Sequence, residues 1–267
     1  MDQSEIFKTT DVTIVLNVWK RSYLEEQIKA LMAQSVLPKE IWVIQYENYS
    51  SGDDILKKFK AAFPHIFTIK SSRNLKYFGR FSIAMHITTK FTWIIDDDVI
   101  PGRLWLQRSI EKCEMLNSII TCTGRIIPVN SYTPEKWTLK GYKNIYFGDF
   151  RTGKDKNFLQ DDLTVDYACS SYFYQTDWIK AFWSIRPLTL LSGEDIHLCA
   201  SCKTALNVPT TVLQQLSFDD AGNTRLQFGW DRNASWKKRN FVKIRKEVFK
   251  YHIKKNNWTP ILWEENN

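Results

Sequence analysis

The sequence predicts an α/β fold, a single domain on a mostly parallel central sheet flanked by helices. Three observations lead there. Short β-branched runs alternate with segments of helical period through the first hundred residues, the βαβα order that parallel pairing requires. One apolar run, 91–95, ends directly in Asp96-Asp97-Asp98, a stop typical of a strand that leaves the core at a ligand-binding edge. And 267 residues, 43% hydrophobic and 14% aromatic, can bury one substantial core, while 10 Gly and 8 Pro leave little for linkers.

Residues 12–17, Val-Thr-Ile-Val-Leu-Asn, read as the first strand, and 23–34 as a helix with Leu24, Ile28, Leu31 and Met32 at helical spacing. Pro38 stops that helix. A strand over 41–45 and a helix over 53–63 follow, with Asp53 as the helix cap. Residues 67–70 read as the third strand, 80–88 as a helix and 91–95 as the fourth strand. After Pro101 and Gly102 come a helix over 104–116 and a strand over 119–127. Periodicity weakens over 128–162, rich in Tyr, Trp, Lys and Asp, which reads as loops or a flexible flap that shapes specificity. It resumes as a strand over 165–174, a helix over 176–183 and a helix over 194–205 that opens with two acids. In the basic segment 236–255, Phe241, Ile244, Val248 and Ile253 fall at near-helical spacing.

The net charge of +8 is concentrated in one place. Ten Lys and Arg lie between Arg232 and Lys255 against one acid, Glu247, so the rest of the chain is nearly neutral and nucleic acid is not an expected partner. The tail has two readings. It is either a helix lying on an anionic membrane surface, or a closing helix with one apolar face on the domain and its lysines in water. No apolar run reaches the roughly 18 residues of a membrane span, and Met1-Asp2-Gln3-Ser4-Glu5 lacks the blocks of a signal peptide. Five cysteines, an odd number, favour a reducing compartment, so the expected location is cytoplasmic, at the cytoplasmic face of a membrane if the tail binds lipid. Cys199-x-x-Cys202 lacks the further ligands of a zinc site and reads as two core thiols on one helix face. His86 reads as structural, and no histidine is assigned as a ligand. Gly-x-Gly-x-x-Gly, Walker and Gly-x-Ser-x-Gly sequences do not occur, which argues against dinucleotide oxidoreductases, P-loop enzymes and typical serine hydrolases.

Two acidic motifs carry the chemistry. Asp96, Asp97 and Asp98 repel one another without a counter-ion, and their oxygen donors suit Mg²⁺ or Mn²⁺, ions that bridge to phosphates. A solvated acidic turn is the plainer reading. Ser192-Gly193-Glu194-Asp195 places two carboxylates at a helix N-terminus, where backbone N–H groups can orient a carboxylate that takes a proton from a hydroxyl. A helix start that merely prefers acids is the alternative.

Arg73-Asn74, Phe78-Gly79-Arg80 and Asp96-Asp97-Asp98, with Arg80 sixteen residues before Asp96, resemble in order and spacing the nucleotide-binding half of GT-A-fold glycosyltransferases, especially the family-2-like inverting enzymes. Glu194-Asp195 looks like that family's acceptor motif, and Cys169-Ser170-Ser171 resembles its small-residue pocket segment. The resemblance implies one GT-A-like, Rossmann-like domain over 1–267. In it, about 10–127 bind a nucleotide sugar, about 128–230 bind the acceptor, and about 231–267 form the basic helical tail. It implies Mn²⁺ or Mg²⁺ at Asp96 and Asp98, with Asp98 the direct ligand and Asp96 facing ribose or metal. Donor contacts would come from Asn17, Arg73, Asn74, Arg80, Asp96, Asp97, Ser170 and Ser171. Asp195 would be the general base, with Glu194 beside it as the second catalytic acid. The implied reaction moves a sugar with inversion from a nucleotide diphosphate donor, a UDP-sugar favoured, to a hydroxyl of a glycan. Where the family often has an Asp after its second strand, this chain has Gln45-Tyr46-Glu47-Asn48, and Gln45 or Glu47 would stand in for it. Two rival readings stay open. One is a nucleotidyltransferase that makes a nucleotide sugar. The other is a non-catalytic glycan- or nucleic-acid-binding module built on the basic tail, with Trp230, Trp236 and Trp258 as its platform.

Overall fold

Runs of Val, Ile and Leu buried on both faces make the centre of a helix-covered sheet, and Val12–Val18 (β1) and Glu40–Tyr46 (β2) are such runs. They pair in parallel, with Asn17 opposite Ile44 and Val18 opposite Gln45. Ile66–Ser71 (β3) and Phe91–Ile95 (β4) extend this block in parallel on either side. The structure, a computed structural model, describes residues 8–47, 52–127, 146–147, 159–225 and 231–264.

Beyond β4 the sheet turns mixed. Ile119–Thr121 (β5), Leu163–Val165 (β8), Ser171–Gln175 (β10) and Thr210–Val212 (β11) complete the order β3-β2-β1-β4-β10-β5-β11-β8, with β10 antiparallel to β4. Thr123–Arg125 (β6), Tyr146–Phe147 (β7) and Tyr167–Cys169 (β9) form a second, three-stranded antiparallel sheet. Helices Leu24–Met32 (α1), Asp53–Lys60 (α2), Lys76–Ala84 (α3) and Trp105–Leu116 (α4) serve the first half. Ile179–Ser184 (α5), Glu194–Leu206 (α6), Phe241–Asn256 (α7) and Ile261–Glu264 (α8) serve the second. Phe81, Trp93, Trp105, Tyr172, Phe173 and Phe182 are fully buried in the core between them.

Several elements differ from the sequence reading. The third helix begins at Lys76 rather than Arg80, because Asn74 Oδ1 accepts the Lys76 N–H and turns the chain into it. Gly52, not Asp53, occupies the cap position of α2, which has no side-chain cap. The single strand expected over 119–127 breaks at Cys122, where the chain passes from the large sheet to the small one. The strand expected over 165–174 breaks twice, at Asp166 and Ser170, for the same reason. The 128–162 loop segment lies almost wholly outside the described residues, as does Trp230.

The tail forms a 3₁₀ turn, Ser235–Lys237, and then α7, whose Val248, Phe249 and His252 are buried while Lys243, Lys254 and Lys255 stay exposed. That is the closing-helix geometry. Trp258 is buried beside Phe249 and offers no binding platform, whereas Trp236 is only half-buried. Cys199 and Cys202 are buried free thiols, and His86 is exposed rather than packed in the core. Among the described residues, no helix is long and apolar enough to cross a membrane.

Candidate active site

Parallel pairing brings the C-terminal ends of β1, β2 and β4 to one edge, and the antiparallel β10 begins at that same edge. Asp96 leaves β4 there, its N–H donating to Ser170 O at 2.8 Å. Lys20, Glu47 and Ser170, just past β1, just past β2 and just before β10, all adopt positive φ (56°, 56° and 66°). Non-glycine residues in this conformation carry strain of the kind that collects at functional sites.

Each acid of the triplet meets an arginine. Arg80 binds Asp96 through Nη1, and Arg21 binds Asp97 through Nη1 and lies 3.3 Å from Asp98. Arg21 also donates from Nε to Asp231 at 2.7 Å, tying the tail to the triplet. Arg80 is placed by the close approach of α3 to β2, where a Cβ on Gly79 would fall 2.5 Å from Tyr46 Oη. Its guanidinium lies 5.4 Å from the Phe81 ring and 5.2 Å from the Tyr172 ring, within cation–π range.

The second acidic motif meets the first through the same arginine. Gly193, at φ +91° and packed on Val248, turns the chain into α6, and Glu194 Oε1 reaches Arg80 Nη2 at 3.3 Å. Asp195 Oδ1 accepts the Ile196 N–H at 2.8 Å, and its Oδ2 accepts from Arg245 Nη2 of α7 at 2.6 Å. Burial, with Asp195 alongside, pushes the Glu194 carboxyl up, and its Oε2 is buried without a hydrogen-bond partner.

Three arginines thus serve six carboxylates. Burial pushes Asp97 up to about 6, with Arg21 opposing and Asp96 adding to the rise. The all-oxygen donor set fits Mg²⁺ or Mn²⁺. Among the described residues, no group of three or more metal-binding side chains converges on one point. The Asp96 side chain is 30% exposed and open to such an ion, whereas Asp98 is 7% exposed and must first leave Arg21.

Other expected donor contacts are distributed unevenly. Asn17 Oδ1, Gln45 Nε2 and Tyr46 Oη are buried without partners at the ends of β1 and β2, Asn17 and Tyr46 on one face of the sheet and Gln45 on the other. Burial pushes the Tyr46 phenol up to about 12, which keeps it a neutral donor. Ser170 stands at the site edge, but Ser171 does not face it: its Oγ accepts from Trp93 Nε1 at 2.9 Å inside the core. Asn74 is spent on the start of α3, and Arg73 is exposed past β3, three strand spacings or about 14 Å from the end of β4. Arg21, Asp231, Tyr46 and Arg245 were not assigned to the site by the sequence reading. Arg21 had a usable signal, a cation just past the first strand; the others had none.

A parallel α/β sheet carrying acids at its strand ends, closed by a helix that opens with two more, is the architecture of the GT-A class of nucleotide-binding domains. The sequence model of glycosyl transferase family 2 matches residues 12–181, more than half of the chain, and the chain belongs to that family. A solved structure of S. aureus TarS shares the fold at a TM-score of 0.53 and 14% identity, covering 78% of this chain and 36% of that one. The TarS 1-349 structure in complex with UDP matches at a TM-score of 0.53 and 15% identity, covering 78% of this chain and 59% of that one. This chain therefore spans between about a third and three fifths of the TarS chains. No curated protein matches it.

Proposed function

We propose that the chain is a metal-dependent, inverting glycosyltransferase that moves a sugar from a UDP-sugar to a hydroxyl of a glycan. The observation that carries this is Arg80, which joins the acid at the end of β4 to the acid at the start of α6 and so makes one site of two motifs. Family membership favours transfer over the nucleotidyltransferase and binding-module readings, and the UDP in the TarS complex supports a uridine donor.

Asn17 and Tyr46, on one face at the ends of β1 and β2, supply an unpaired acceptor and an unpaired hydroxyl for the planar base. Mn²⁺ or Mg²⁺, held by Asp96 and Asp98, would neutralise the diphosphate leaving group. Arg21 and Arg80 add fixed positive charge beside it. Asp195 takes the proton of the attacking hydroxyl. The new bond from that oxygen to the anomeric carbon forms as the bond to phosphate breaks, and the electron pair leaves with UDP. Positioning and electrostatics supply most of the rate.

Glu194 is the rival base, favoured by its unpartnered Oε2 and raised pKa. One comparison separates the two. Asp195→Asn should lower turnover by about 10³-fold while leaving donor binding intact, and Glu194→Gln should mainly weaken donor affinity through Arg80. UDP release from a panel of UDP-sugars reads both, and near-normal turnover by Asp195→Asn sinks the assignment.

A further inference from the structure

We propose that Arg245, from the C-terminal helix α7, is a positioning residue for the reaction, fixing the Asp195 carboxylate in the orientation from which it accepts the acceptor's proton. This rests on the reading of Asp195 as the base. Residues 245, 248, 249 and 252 form the buried stripe of α7, and at three of these positions the stripe is Val, Phe and a neutral His. Packing alone asks for an apolar side chain at the fourth. Instead there is a guanidinium whose group is 4% exposed, 2.6 Å from a carboxylate that is 8% exposed.

The arrangement does more than neutralise charge. Asp195 is held at two points, Oδ2 by Arg245 Nη2 and Oδ1 by the Ile196 N–H, so the plane of the carboxylate cannot rotate. Arg245 is itself held, its guanidinium carbon 5.4 Å from the Tyr167 ring of β9 and 5.2 Å from the Phe241 ring of α7. Glu194 stands next in sequence to Asp195, and two buried neighbouring carboxylates cannot both stay ionised unaided. Arg80 from α3 answers Glu194, and Arg245 answers Asp195. Cys169 of β9 and Tyr172 of β10 also face Asp195, and burial keeps both neutral. A buried pair of this kind is weak support for stability, since an apolar replacement packs as well. Its value lies in holding the carboxylate aligned. The family match ends at residue 181, so this contribution comes from chain beyond the matched segment.

The test has two arms on the full chain. The first needs no donor: melting temperatures of wild type, Arg245→Gln, Asp195→Asn and the double variant. Arg245→Gln should lower the melting temperature by about 5 °C or more alone and by less than half as much in the Asp195→Asn background. Additive effects overturn the pairing. The second arm is UDP release from the UDP-sugar that wild type turns over fastest. Arg245→Gln should lower kcat about 100-fold with KM for the donor changed by less than about threefold, and should move the acid limb of the kcat profile up by about one pH unit. Arg245→Lys, which keeps the charge but not the planar fork, should recover about tenfold of that loss. If Arg245→Gln does not fold, Arg245→Lys against wild type supplies the kcat and pH readouts. Unchanged kcat and pH profile in the Arg245 variants, with Asp195→Asn inactive, overturns this proposal and leaves the base assignment standing. Near-normal turnover by Asp195→Asn removes both.

Discussion

Arg80 sits between two carboxylates with its own charge almost wholly buried, and the energetics of such a bridge are lopsided. Replacing the whole cluster with apolar groups costs little, but removing one member strands the others. Arg80→Met should therefore lower the free energy of unfolding by about 3 kcal/mol in urea titration, and should reduce UDP release below detection. A loss of activity with unchanged stability contradicts the bridge. The residues differ in how far the sequence exposed them. Asp96, Asp97 and Asp98 were legible because a strand ending in three acids is a local signal, and Arg80 because its spacing to them is fixed by one helix and one strand. The partnerships of Arg21, Asp231 and Arg245 were not, because they span 76, 210 and 50 residues and only the folded chain brings them together, although the place of Arg21 just past the first strand was a signal left unused. Ser171 was misplaced for a simpler reason: strand alternation turns its side chain to Trp93, while its neighbour Ser170 keeps the site edge.

Elements were legible where one period ran unbroken. β4 occupies the residues expected because all five are buried and the acids stop it sharply. The strands over 119–127 and 165–174 were not, because a chain changing sheets keeps its apolar composition while its pairing breaks. The α6–α7 contact shows an element-scale device that no local pattern announced. His197 Nε2 lies 2.9 Å from Phe182 O, which can only accept, so Nδ1 of His197 is bare. His252 Nε2 donates to that bare Nδ1 at 2.9 Å, and its own Nδ1 faces the Asn256 side-chain amide at 3.5 Å. Both rings are thereby held neutral, and protonating either sets N–H against N–H. Burial lowers His197 to about 4, and burial together with His197 lowers His252 to about 3. Since the unfolded rings titrate near the ordinary value, about 6.5, the unfolded chain binds more protons below that pH, and stability present above it is lost as pH falls. Between pH 6.5 and 4 the wild type should lose about 3 kcal/mol more stability than His252→Gln, whose amide still donates to His197 but does not titrate. Urea titrations at the two pH values measure it, and parallel losses in both proteins refute the neutral pair.

At the scale of the molecule, two opposite charge distributions lie side by side: an acid-rich site at the strand ends and a basic tail that reaches it through Asp231 and Arg245. The composition showed the tail's charge but not that the tail reaches the site, since that depends on α7 docking on the start of α6 through Val248 against Gly193 and His252 against His197. The acid-rich half has a direct consequence for ligand binding. A diphosphate alone meets carboxylates as well as arginines, and a divalent ion alone meets Arg21 and Arg80 as well as carboxylates, so each weakens the other's repulsion and binding should be cooperative. Ligand at about 100 times its dissociation constant stabilises by about 2.7 kcal/mol, which for a chain of this size corresponds to a rise in melting temperature of about 5 °C or more. UDP with Mn²⁺ should produce a shift of that order. UDP with EDTA, or Mn²⁺ without nucleotide, should each produce less than half of it. Asp98→Ala should remove the Mn²⁺-dependent part while leaving the nucleotide-alone shift in place, because Tyr46 lies on β2, separated by β1 from the strand that carries the metal carboxylates. Equal shifts with and without Mn²⁺ in wild type contradict the metal assignment and leave the counter-charge for the diphosphate to side chains such as Arg21 and Arg80.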